Sequence, residues 1–102
     1  MSAYCFWDNI TVSDPAKLEE YKERVAPIVE QHGGRYVVVG GRFEVVEGAP
    51  SLTYPVIIRF PSMDAARRWY TSDEYAELKA LRKSASTANA VFIEGIDDDD
   101  DD

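Results

Sequence analysis

The chain has 102 residues, 45% of them hydrophobic and 29% charged, which suits one soluble domain with one modest core. Of the net charge of −8, six charges belong to the terminal run Asp97 to Asp102, so the rest carries only −2. With no basic stripe, nucleic acid is excluded as an expected partner. No apolar run approaches the roughly 20 residues of a membrane span, no basic-then-apolar leader opens the chain, and the lone Cys5 excludes an internal disulfide or a cysteine-based metal site. A cytoplasmic location is the expectation.

The apolar, aromatic-rich run Ala3 to Ile10 predicts a first strand. Ser13-Asp14-Pro15 then opens a helix, with a capping side chain followed by proline at the first helical position. Leu18, Tyr21, Val25 and Ile28 or Val29 form its apolar stripe, Pro27 should kink or loosen its last turn, and Gly33-Gly34 ends it. Arg35 to Val46 reads as strand two, with Gly40-Gly41 marking a bulge or bend. Glu47 to Ser51 is a loop and Tyr54 to Phe60 is strand three. Ser62 caps a second helix carrying Ala66, Trp69 and Tyr70 inward, and Ser72-Asp73-Glu74 reads as another cap at which that helix breaks and restarts toward Leu78 and Leu81. Asn89 to Ile96 is the last strand. Residues 1–96 form one domain; the aspartate tail, residues 97–102, is expected to be disordered and solvating.

This order predicts an α+β, ferredoxin-like βαββαβ fold, a four-stranded antiparallel sheet with two helices on one face. Strand three is apolar on both alternating sets, and a half-solvated antiparallel strand should not be. A second copy covering the bare face is the simplest solution, so a homodimer through the sheet faces is expected.

The ordered set Asp14-Pro15, His32-Gly33-Gly34-Arg35, Gly40-Gly41, Glu47-Gly48, Phe60-Pro61-Ser62, Trp69-Tyr70, Ser72, Tyr75, Arg82 and Glu94-Gly95 resembles the domain of unknown function 1330 family. The resemblance covers Ala3 to Ile96. It implies the dimeric α/β-barrel superfamily, whose members include cofactor-free monooxygenases, lactone isomerases and dye-type peroxidases, without assigning a reaction. The chain departs from the family pattern at Val39, where an arginine precedes the Gly-Gly pair, and at Arg59, where an acid precedes Phe-Pro. A mechanism relying on that acid would not transfer.

Period-two alternation sets Tyr4, Phe6 and Asp8 on one face of strand one. Placed in the barrel interior with Arg59 and Arg35, Asp8 is the candidate base and the arginines the anion-binding groups. A structural ion pair between strands is the competing account. His32 is a candidate acid or base, although at a helix end its imidazolium also suits the carbonyl dipoles. One histidine without cysteines gives no zinc site. Trp69 and Tyr70 are either core or ligand wall; Ser72 and Tyr75 are either a cap with a packed aromatic or a pocket rim. No cofactor is implied. The expected activity is a cofactor-independent enzyme for a small acidic or aromatic metabolite bound between helices and sheet, the alternative being a non-catalytic ligand-binding or accessory dimer.

Overall fold

The computed structural model describes residues 1–49 and 52–96, without the side chains of Asn9 and Ile10; the aspartate tail lies outside the described residues. The elements are β1 (Ala3–Val12), α1 (Pro15–Gln31), β2 (Arg35–Val39), β3 (Pro55–Phe60), α2 (Met63–Tyr70), α3 (Asp73–Ala85) and β4 (Ser86–Glu94). The four strands form one sheet in the order β2-β3-β1-β4, every neighbouring pair antiparallel. This is the ferredoxin-like topology, with three helices rather than two in the helix layer, because the second helical segment breaks and restarts at Ser72 as its cap signal predicts. Ser72 accounts for the break, because its Oγ accepts from the Tyr75 amide (3.2 Å) and donates to the Trp69 carbonyl (2.8 Å), ending α2 and starting α3.

The other helix signals act as read. Asp14 caps α1 by accepting from the Lys17 amide, and Ser62 caps α2 by accepting from the Ala65 amide. Helix α1 runs through Pro27 to Gln31. Gly33, at φ +84°, takes the left-handed position that follows it, and the Gly33 and Gly34 amides close the last turn on Glu30 and Val29.

Strand β2 is shorter than predicted, stopping at Val39 rather than Val46. Past that point the ladder has no partner. Gly40 (φ +60°) donates its amide to the Pro55 carbonyl at 2.7 Å, Pro55 has no N–H to return, and the preceding amides of Thr53 and Tyr54 are taken by the Asp8 carboxylate. A Cβ at Gly40 would overlap the Tyr54 ring. β4 begins three residues earlier than predicted, absorbing the small residues Ser86 to Ala88.

The two sheet faces differ sharply. Cys5, Trp7, Ile58 and Phe60 point into the helices and form the core with Val25, Val29, Trp69, Tyr75 and Leu78. Trp69 is its centre, in contact with the rings of Trp7, Phe60, Tyr70 and Tyr75; truncation to alanine there costs about 4 kcal/mol. The opposite face carries Tyr4, Phe6, Ile57, Val91 and Ile93, with Val91 and Ile93 half exposed. The molecule is only 17 Å across its shortest axis, one sheet and one helix layer deep. No helix among the described residues is long and apolar enough to cross a membrane.

Candidate active site

A cavity of about 250 Å³ lies between α1 and the sheet. Its wall is apolar and aromatic: Trp7 from β1, Leu18, Tyr21 and Val25 from α1, Tyr36 from β2, Val56 and Ile58 from β3, and Trp69 from α2. Lys22 and Tyr54 also line it, the Lys22 ammonium standing 4.6 Å from the Tyr54 ring centroid. The one charged group from deep within the fold is Arg82 of α3, which is 6% exposed.

Arg82 reaches the cavity because it occupies the apolar stripe of its helix, Tyr75, Leu78, Arg82 and Ala85, at steps of three and four. Its Nε donates to Tyr75 Oη at 3.4 Å and its guanidinium lies 5.2 Å from the Trp7 ring centroid. No carboxylate among the described residues pairs with it; the four ion pairs there are Lys22–Glu19, Arg24–Glu20, Arg24–Glu77 and Arg67–Asp64. Desolvation works against the Arg82 charge, yet the oxygens of Tyr75, Tyr21 and Tyr70 outweigh it and hold the guanidinium's pKa above its ordinary value. Tyr75 in turn shares a 2.8 Å hydrogen bond with Tyr21, hydroxyl to hydroxyl. Burial raises the pKa of both phenols, with the neighbouring arginine only partly opposing it, so both are protonated donors at neutral pH.

Most of the residues predicted from sequence lie elsewhere. Asp8, Arg59 and Arg35 do share the sheet face opposite the helices, with Arg35 and Tyr4 both in register with Arg59. Asp8, however, is in register with Pro55, four residues along β1 from Tyr4, a span of about 13 Å. Its carboxylate is filled by backbone instead: Oδ1 accepts from Thr53 (2.9 Å) and Tyr54 (2.7 Å), and Oδ2 from Thr53 (3.2 Å). The predicted Asp8–Arg59 pair is therefore not assembled, and neither residue lines the cavity. His32 places Nδ1 3.0 Å from the Ile28 carbonyl at the end of α1, which serves the cap rather than the cavity. Ser72 is a helix cap. Trp69 lines the cavity, Tyr75 sits behind it, and Tyr70 faces a separate cleft beside Arg82. Arg82 and Tyr21 are the residues sequence reading missed. The signal was present in Arg82, a charged residue on an otherwise apolar helical stripe.

The domain of unknown function DUF1330 matches residues 2–96, and the chain belongs to that family. Among curated proteins none matches it. Solved structures with the same fold include a protein of unknown function from Rhodopseudomonas palustris (15% identity, TM-score 0.76, covering 93% of this chain and 82% of that one). SnoaB, a cofactor-independent oxygenase from Streptomyces nogalater, superposes at 17% identity and TM-score 0.69 over 92% of each chain. A dimeric protein of unknown function and ferredoxin-like fold from Bacteroides fragilis does so at 13% identity and TM-score 0.65, over 92% of this chain and 96% of that one.

Proposed function

We propose that this member of the domain of unknown function 1330 family is a cofactor-independent enzyme whose active site is the cavity under α1, and whose substrate is a small aromatic compound with an acidic hydroxyl or carboxyl group. The observation carrying this reading is Arg82: a buried cation on an apolar, aromatic cavity, with one long contact to a neutral phenol and no counter-ion among the described residues. An unpaired buried charge is costly and is retained where a ligand completes it. The Arg82 fork suits a carboxylate, phenolate or enolate oxygen, Tyr21 adds a hydroxyl donor, and the aromatic wall takes the ring.

Similarity to the oxygenase SnoaB suggests the reaction type. A substrate carbon that gives up a proton leaves negative charge on the conjugated oxygen, where Arg82 holds it. The carbanion passes its electrons to dioxygen and a hydroperoxide forms at that carbon; loss of water leaves a carbonyl. The substrate supplies all four electrons that dioxygen takes up, two from the carbanion and two from the second C–H bond of that carbon as water leaves. No carboxylate or imidazole among the described residues lines the cavity, so the proton leaves to water and the substrate must itself be acidic. That same lack favours the second reading, a binding protein without turnover.

The bare sheet face, with Tyr4, Phe6, Ile57, Val91 and Ile93, is proposed to be covered by a second copy in a cytoplasmic homodimer. Neither cavity nor Arg82 is on that face, so each protomer holds its own site.

The test is a stabilisation screen with hydroxylated and carboxylated naphthalenes, followed by oxygen-uptake and product analysis of every binder. Binding lost in Arg82→Met, with oxygen consumed in step with product, is the expected result. Binding without consumption leaves the second reading standing, and binding indifferent to Arg82 removes the site assignment. Sedimentation of Ile93→Lys, expected as monomer against a dimeric parent, checks the interface.

A further inference from the structure

We infer that the cleft beside Arg82 is the second half of the ligand site and receives a head group of charge −2, so that the ligand is an aromatic body bearing a vicinal dicarboxylate or a phosphate. This rests on the reading of the cavity given above and adds the charge of the head group. The cleft is an open depression of about 390 Å³ where the end of α3 meets β4. Arg82 is the one residue that lines both it and the aromatic cavity.

Around the cleft the cations outnumber what the protein neutralises. Lys79, Arg82 and Lys83, at spacings of three and four, share one face of α3. Lys83 lines the cleft directly, and the Lys79 ammonium lies 3.9 Å from the centroid of the Tyr70 ring, itself part of the cleft wall. None of the three is in an ion pair with a carboxylate among the described residues. Like charges at this spacing repel. The helix dipole favours both Arg82 and Lys83, which lie in the last turn of α3, but its reach ends there and it does not account for Lys79; nor does it offset the cost of burying Arg82 without a counter-ion.

The rest of the cleft is small and polar. Ser86 donates its hydroxyl back to the Arg82 carbonyl, and the Thr87 side chain is exposed. Ala88 and Ala90 leave the floor without bulk, Ala90 standing in register with Trp7 on the helix-covered face. A monoanion would satisfy Arg82 alone. A dianion placed against Arg82 would also draw on exposed Lys83 and half-buried Lys79, and the two lysines together contribute on the order of fivefold in affinity at low salt.

The experiment compares 2-naphthoate, naphthalene-2,3-dicarboxylate and 2-naphthyl phosphate by calorimetric titration into the full chain. We expect at least one dianion to bind about fivefold tighter than 2-naphthoate at low ionic strength, with the gap closing as salt is added. Which dianion gains identifies the head group. The double variant Lys79→Gln/Lys83→Gln, its fold checked by circular dichroism, should bring that dianion down to the affinity of 2-naphthoate. Binding of 2-naphthoate that depends on Arg82, with no gain for either dianion, would overturn the inference and leave the cavity reading intact. A gain that survives the double variant would also overturn it. If 2-naphthoate and both dianions fail to bind, the cavity reading falls and the head-group inference with it.

Discussion

Asp8 and Arg82 are almost equally buried, at 4% and 6% exposure, and the protein treats them in opposite ways. The Asp8 carboxylate accepts three backbone contacts from Thr53 and Tyr54, all between 2.7 and 3.2 Å. Arg82 has a single 3.4 Å contact to a phenol. A charge whose hydrogen-bonding capacity is filled from within is part of the scaffold: Asp8 ties the entry to β3 against β1, and in doing so ends β2. A charge left unfilled beside a cavity is the one proposed to bind a ligand. Chemical type alone does not separate the two; the state of their partners does.

The strongest way to break this contrast is to give Arg82 a counter-ion from within by ionising its tyrosines. Burial raises the Tyr36 hydroxyl to about 12 and the Cys5 thiol to about 12, and raises Tyr21 and Tyr75 as well. The unfolded chain releases these protons first, near its ordinary values of 9.0 for cysteine and 10.0 for tyrosine. The stability they confer is thus complete below about pH 9 and lost as pH climbs toward 12. Urea midpoints measured from pH 7 to 11.5 should fall steeply over that range, with the assigned NMR ring signals of Tyr21 and Tyr75 showing tyrosinate only as the fold is lost. Tyrosinate at Tyr21 or Tyr75 in the folded protein would mean that Arg82 has a partner after all.

Asp8→Ala should destabilise the protein by about 3 kcal/mol, because it strands two amides that the carboxylate now holds; chemical denaturation reads this directly. Arg82→Met should behave in reverse. Its melting temperature should equal or exceed the parent's, while affinity for an aromatic carboxylate drops by about thirtyfold, or ~2 kcal/mol. Should Arg82→Met instead destabilise as much as Asp8→Ala, both charges would be scaffold. The smallest effect belongs to Tyr75→Phe, about 1 kcal/mol in stability for the lost hydroxyl contacts to Tyr21 and Arg82.

The sequence carried whatever depends on neighbours in the chain. Asp14, Ser62 and Ser72 each cap within three residues, and Gly33 takes the one backbone conformation that favours glycine, so the helix starts and the end of α1 were legible. Alternation also set Asp8, Arg59 and Arg35 on one sheet face. What could not be read was the partner of Asp8, which lies 45 and 46 residues away in a backbone segment without side-chain signature. The same bond explains why an alternating, strand-like stretch after Val39 is not strand. Arg82 was legible in principle, since the apolar neighbours Leu78 and Ala85 on its stripe announce its burial. Its lack of a carboxylate partner among the described residues is a long-range fact and needed the fold.

The paired tyrosine hydroxyls join Arg82 to a second helix. The Arg82 Nε donates to Tyr75, which is wholly buried, and Tyr75 shares a hydrogen bond, hydroxyl to hydroxyl, with Tyr21 of α1 on the cavity wall. Groups bonded in series where water does not screen them polarise one another. The placement of one guanidinium on α3 is thus felt at a phenol on α1.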